Sequence, residues 1–337
     1  MHKFIITIIC AFFISVFSSQ AQTIINLQSG KKTSIRGLSV VNDKVAWISG
    51  SGGTVGITND GGSNWSWLQV KGYEKSDFRD IEAFSDKEAV IVSSGTPAYI
   101  LKTADGGLTW TKHFEQRDTS YFLDAMDFKD PKHGFVLGDP INGKFLLLKT
   151  DDGGNNWVPA HYSPGAYKNE AAFAASGTCI RVYKSGIMIV SGGSKSRLIS
   201  STDNGKNWHY LDLPLTDGTS SRGAFSVAKN GNEIIIVGGN YAKDKLRDSV
   251  AVIINGSENI SKASMPTLAP EGFQSSVEHL NGNFYLSTGT SGTNISTDSG
   301  NTWKKIDDRS YNVCRKAKKG KLVLLAGDKG NIGILKF

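Results

Sequence analysis

Five aspartates of this chain stand in one repeated phrase: "TNDGGSNW" from Thr58, "TADGGLTW" from Thr103, "TDDGGNNW" from Thr150, "STDNGKNW" from Ser201 and "STDSGNTW" from Ser296. Each reads hydroxyl, any residue, Asp, any, Gly, any, any, Trp. The aligned positions are Thr58, Asp60, Gly62 and Trp65; Thr103, Asp105, Gly107 and Trp110; Thr150, Asp152, Gly154 and Trp157; Ser201, Asp203, Gly205 and Trp208; and Ser296, Asp298, Gly300 and Trp303. Five of the seven tryptophans occupy the last slot. Five carboxylates invite a catalytic reading, but catalysis needs two or three different groups converging on one point. The alternating acids of a calcium loop are also missing, so no metal is expected. The residue types suit a turn instead. An Asp carboxylate accepts hydrogen bonds from turn N–H groups, glycine permits a positive φ, and the tryptophan folds back as a wedge between sheets.

A second period shows which elements carry these turns. Short apolar runs end in Gly50, Gly95, Gly138, Gly192, Gly238, Gly289 and Gly327, at steps of 45, 43, 54, 46, 51 and 38 residues. Units of that length, rich in β-branched and aromatic residues and without a helical period, read as four-stranded sheets. Repeated, they are the mark of a β-propeller. In the first unit "IRGLSVV" is the innermost strand, followed by "KVAWISG", "GTVGIT" and "NWSWLQV" outward, so the Asp phrase lies between third and fourth strands. Tryptophan positions step by 45, 47 and 51, then by 95 from Trp208 to Trp303. Within that double step, "VAVIINGSEN" keeps the strand and has lost the Asp and Trp. At the end, "GNIGILKF" is a third strand without a fourth, while "TIINLQS" near the start resembles a fourth strand without a unit. The fold expected is all-β: a seven-bladed propeller of four-stranded antiparallel blades over residues 22–337, the last blade closed by the N-terminal strand. Closure removes the sheet edges that invite aggregation.

Residues 1–21 are set apart as a signal peptide. Lys3 precedes the apolar run "FIITIICAFFISVF", and small residues allow cleavage after Ala21. The run is shorter than the roughly 20 apolar residues of a membrane span, and Cys10 lies inside it rather than at its end. An exported chain, periplasmic or extracellular, with no membrane span in its mature form is expected. Losing Lys3 lowers the formal charge from +7 to +6. The densest basic cluster, "RKAKKGK" from Arg315, reads as a solvated loop and strand edge, so no nucleic acid partner is expected. Cys179 and Cys314 are expected to be free, buried and in different blades, because a chain of this length buries enough core without a disulfide.

The face away from the Asp phrases carries polar loops of uneven length: "GDPINGK" with Asp139, "GGSKSR" with Arg197, and "GGNYAKDKLRD" with Tyr241. Arg36, Arg79 and Arg222 stand where three innermost strands begin. Guanidiniums round a funnel attract carboxylates, phosphates or an acidic protein segment. Alternatively, each pairs with a nearby acid such as Asp80 or Glu82.

The five phrases match the Asp-box of bacterial sialidases and other secreted propellers. With "AAFAASGT" from Ala171, "GDP" from Gly138 and "RGAFSV" from Arg222, the chain more specifically resembles exported propellers related to the photosystem II stability and assembly factor. That resemblance implies a non-catalytic binding scaffold for assembling other proteins; a protein or an anionic or glycan ligand on the loop-rich face, a monomer and no cofactor are expected. The alternative is a glycoside hydrolase on the same fold, with an arginine triad drawn from Arg36, Arg222 and others and a Tyr241–Glu170 pair. Against it, sialidases carry an early Arg-Ile-Pro phrase, and "SIRGLS" lacks the Ile-Pro. Other enzyme signatures fail. No HExxH or Gly-x-Ser-x-Gly occurs, no Gly-Lys pair is followed by Ser or Thr, and "GSGGTVG" from Gly50 joins two strands without a helix to hold a pyrophosphate.

Overall fold

The computed structural model describes residues 22–256 and 262–337. The leader expected at 1–21 lies outside them, as does the part of the eroded copy beyond Gly256. Strand pairing resolves seven four-stranded antiparallel units. Five are separate sheets, and a nine-stranded sheet holds the fourth and fifth units, joined where Gly192 and Gly193 pair with the strand Thr219–Asn230. The innermost strands are Ile35–Val40, Asp77–Ala83, Leu123–Phe128, Ile180–Tyr183, Thr219–Asn230, Ser276–Asn281 and Val313–Lys316. Each packs beside the next, and the seventh packs beside the first. The ring is closed by the chain's two ends: Thr23–Gln28 pairs antiparallel with Ile332–Lys336 as the outer strand of the seventh unit.

The glycine-ended runs are buried at nearly every position because each sheet is covered on both faces. Side chains alternate sides along a strand. In the second unit, Val90 and Val92 meet Val136 and Leu148 of the following unit. Ala89 and Ile91 meet Trp47 and Val55 of the preceding one. Cys179 and Cys314 are free and buried, in the fourth and seventh units.

Each Asp phrase closes on itself. The Thr150 hydroxyl donates to Asp152 Oδ1 at 2.8 Å and accepts from the Gly154 N–H at 2.9 Å. Asp152 then takes the Asn156 N–H on Oδ1 and the Asn156 side chain on Oδ2, at 2.9 and 2.6 Å. The same circuit recurs in the other four phrases, so the seventh slot is chosen: it is Asn64, Thr109, Asn156, Asn207 or Thr302, each bonding its Asp. Reading that slot as any residue missed one of the phrase's five working positions. The box glycines have φ between 80° and 93°, and in four phrases they press against the preceding unit. A Cβ on Gly62 would stand 3.0 Å from Leu27, and one on Gly300 2.7 Å from Ile235. The ring of Trp157 meets Phe128 edge-on, and Trp110 meets Trp47 of the unit before it.

These hydrogen bonds set a pH signature. The Asn156 side chain and N–H hold the Asp152 carboxyl at about 2. A depressed acid contributes stability that is present above its unfolded value near 4 and lost as pH falls through the folded value. Asp152→Asn should therefore be less stable than the parent at pH 7. The difference should close between about pH 4 and pH 2, as followed by urea unfolding at each pH.

Candidate functional site

In an antiparallel four-stranded unit the first strand starts at the end opposite to the third-to-fourth turn. Arg36, Arg79 and Arg222 therefore sit at the loop-rich end, away from the Asp phrases. Arg36 and Arg79 are close enough for their charges to oppose one another. Burial and the Arg79 guanidinium lower the Arg36 pKa, while Asp328 and Asp77 pull the other way. Arg79 pairs with Asp77 at 2.7 Å, not with Asp80 or Glu82, and lies over the Phe122 ring. Among the described residues neither Arg36 nor Arg222 has an ion pair. Asp328 is held by Asn312 at 3.1 Å and by the Ser34 hydroxyl.

The funnel expected between them is closed. The segment Ala172–Thr178 crosses the ring axis just inside this end. Its Ala174 carbonyl accepts from Arg79 of the second unit at 3.4 Å. Its Ser176 hydroxyl donates to the Ser275 carbonyl at the start of the sixth unit at 2.7 Å. Thr178 donates to Ser226 of the fifth at 2.6 Å. Gly177, at φ 68°, faces Asp80 so closely that a Cβ would meet its carboxyl carbon at 2.3 Å. Only a residue without a Cβ fits that gap. Asp80 and Asp124 lie behind this segment, each 1% exposed, and burial pushes both carboxyls well above the usual range. The phrase "AAFAASGT" is thus an axial plug.

The remaining expected residues part company. Arg197 is not a surface ligand. Its guanidinium meets buried Glu170 through Nε at 2.8 Å and Nη2 at 2.6 Å, donates to the Gly165 carbonyl, and is sandwiched between the rings of Tyr167 and Tyr210. Glu170 also accepts from Ser191 and from the Tyr167 N–H, so its oxygens are spent. Tyr241 instead packs edge-on to Phe225 and Phe273, beside the stacked pair Phe173–Phe225, whose rings are 3.8 Å apart. The Tyr241–Glu170 pair that a sialidase reading needs is not assembled. Asp139 sits at a bulge between Gly138 and Pro140, which turns its side chain out of the ladder. There it lines a depression shared with the fourth and fifth units.

A second mouth, at the Asp-phrase end, escaped the sequence reading. A cavity of about 460 Å³ is lined by Glu82, Asp127, Glu278, Arg181, Arg315 and Lys318, among others. Arg181 reaches Glu278 at 3.3 Å, and Lys318 pairs with Glu82 while donating to the Ala83 carbonyl. Burial lifts the three carboxyls above their ordinary range against the pull of Lys318 and Arg181. Burial works against the Arg181 charge, but Glu278, Tyr183 and Asp127 outweigh it and hold its guanidinium above its ordinary value. "RKAKKGK" is therefore only partly a solvated edge, since Arg315 and Lys318 turn into this mouth. The available signal was period-two alternation in an innermost strand, as in "DIEA", which sends every second side chain toward the axis.

Closed ring and repeated Asp turns together define an Asp-box β-propeller. More particularly, part of the chain is similar to photosystem II assembly factors. Residues 16–118 match the family model described as photosynthesis system II assembly factor YCF48. The photosystem II stability/assembly factor HCF136, chloroplastic, of Arabidopsis thaliana is 37% identical over 67 residues, which is 19% of this chain and 15% of that protein. The chain therefore aligns with a small part of the length of that curated relative. Among solved structures, YCF48 bound to D1 peptide superposes with a TM-score of 0.65 at 14% identity, covering 95% of this chain and 96% of that one. YCF48 from Cyanidioschyzon merolae gives 0.62 at 14% identity, covering 93% and 98%. The RRP9 WD40 repeats give 0.66 at 11% identity, covering 94% and 98%, a likeness of fold alone.

No helix among the described residues is long and apolar enough to cross a membrane.

Proposed function

We propose that this chain is an exported, non-catalytic assembly scaffold that binds another protein at its loop-rich end through the guanidiniums of Arg36, Arg79 and Arg222. The observation that carries the reading is the arginine arrangement. Arg36 is half-buried beside a like charge and lacks an ion pair among the described residues, so a carboxylate from a partner would relieve both costs. The solved structure of YCF48 with a D1 peptide supports a protein partner, because a propeller superposing on this one over nearly its full length carries a bound peptide. A glycosidase draws no support from the site. Asp77 is paired with Arg79, Asp328 is held by Asn312 and Ser34, Asp80 and Asp124 are enclosed behind the plug, and Glu170 is consumed by Arg197.

Export follows from residues 1–21, with Gln22 as the first residue of the mature chain in the periplasm or outside the cell. Both parts are tested on tagged protein recovered from the native envelope after crosslinking. The intact mass should begin at Gln22. A discrete partner should be captured by the parent and lost, at least tenfold, by an Arg36→Ala/Arg222→Ala variant of unchanged thermal stability. Equal capture by the two chains would remove the arginines from the binding face.

A further inference from the structure

Asp139 was grouped with the arginines from the sequence, yet its surroundings have the opposite character. It lines a depression of about 820 Å³ at the loop-rich end, walled by the Asp139–Gly143 hairpin of the third unit, the linker 167–171, Ser194 of the fourth unit and Thr219 at the start of the fifth. One carboxylate oxygen accepts the Ala172 N–H at 3.3 Å. Among the described residues no other hydrogen bond and no ion pair reaches this carboxylate. Its side chain is partly taken out of water, an arrangement that costs free energy unless a cation or donor completes it.

We propose that this depression receives a basic side chain, a lysine or arginine from the bound protein, with its charge against Asp139 and its alkyl stem along Pro140 and Tyr167. The proposal deepens the protein-binding reading and rests on it for the identity of the partner. The chemistry of the pocket is its own. Tyr167 is 57% exposed, and its ring is held in place by the Arg197 guanidinium stacked 4.6 Å from its centroid. Arg197 is in turn fixed by Glu170. A rigid aromatic wall with an unpaired carboxylate beside it is the arrangement that holds ammonium and guanidinium groups. Hydroxyls of Ser194 and Thr219 on the rim can accept remaining N–H donors.

The other charges near the pocket fit this assignment. Glu170 is neutralised by Arg197. Asp124, also beneath this end, is held toward its neutral form by burial and by the Asp139 charge, against the pull of Arg79. Lys168 also lines the depression, and no ion pair joins it to Asp139 among the described residues, so its long exposed side chain is displaceable. Burial raises the Asp139 carboxyl to about 6, against the Ala172 N–H. The occupied pocket therefore has a definite pH dependence. Ionised Asp139 binds the cation and protonated Asp139 does not, so affinity rises from pH 5 to pH 7.

The probe is Nα-acetyl-lysine N-methylamide, titrated into the mature protein while the backbone amides of Ala172 and Ser194 are followed by NMR. The norleucine analogue and cellobiose are titrated in parallel. The lysine probe should shift both amides in a saturable way, about fivefold or more tightly at pH 7 than at pH 5. The norleucine analogue and cellobiose should bind at least fivefold more weakly at pH 7. Asp139→Asn should weaken the lysine probe at least tenfold, and Lys168→Met should tighten it. Lysine and norleucine probes of equal affinity, tight cellobiose binding, or an unaffected Asp139→Asn variant would each overturn the assignment. If the probe fails while arginine-dependent capture persists, only this pocket is lost. If the probe binds while capture ignores the arginines, the scaffold reading loses its arginine face and the basic-side-chain pocket stands.

Discussion

Replacing Arg197 by alanine should destabilise the protein by about 3–5 kcal/mol, the cost of leaving one partner of a buried ion pair uncompensated. The Arg197 and Glu170 side chains are 6% and 0% exposed, so water cannot take the place of the lost guanidinium. Three hydrogen bonds and two ring contacts go with it. The double change Arg197→Met/Glu170→Leu should recover most of the loss, because swapping both charges for apolar groups of similar volume is near neutral. Urea unfolding of parent, single and double variants measures both numbers. A single variant within 1 kcal/mol of the parent would show that Glu170 finds another partner or a proton, and that the pair does not fix the wall of the Asp139 pocket.

Trp303→Ala should cost about 3–5 kcal/mol, the range for truncating a buried tryptophan. Its ring is 3% exposed and packs in a cluster with Ile235, Val237 and Ile253 of the fifth unit and Val277 and Tyr285 of the sixth. Its Nε1 donates to the Gly300 carbonyl at 2.8 Å. Truncation opens a void between two sheets that the closed ring prevents from collapsing. Trp208→Ala should cost clearly less. That ring is half-buried and its Nε1 reaches across to the Tyr162 carbonyl of the preceding linker. Thermal or urea unfolding of the pair ranks them. Equal losses would mean that the phrase tryptophans act as turn locks and not as wedges between units.

Much of the architecture was legible because it is repeated. A turn that needs a hydroxyl, an Asp and a left-handed glycine writes the same letters each time, and strands covered on both faces write short, mostly apolar runs. The pairing of Thr23–Gln28 with Ile332–Lys336 was readable for the same reason, as a fourth strand and a third strand each without its unit. The binding face was read less well. Arg36, Arg79 and Arg222 do share the loop-rich end, but Arg197 looked like their equal and is not. Its partner Glu170 lies 27 residues away in an irregular linker whose path no local pattern sets. "AAFAASGT" stood out only for its resemblance to related propellers, and nothing in its composition says that it crosses the axis.

By itself, the sequence determined the all-β class, the unit length, the place of the Asp turns and the end at which variable loops gather, since each follows from local residue chemistry repeated at fixed spacing. Only the tertiary structure decided which charges remain available. Lys318 and Glu82 meet across 236 residues, and what the neighbouring units bring beside Asp139 includes no paired cation among the described residues. Coulomb pairing and desolvation act through space, and a closed ring sets those distances only when all its units are in place.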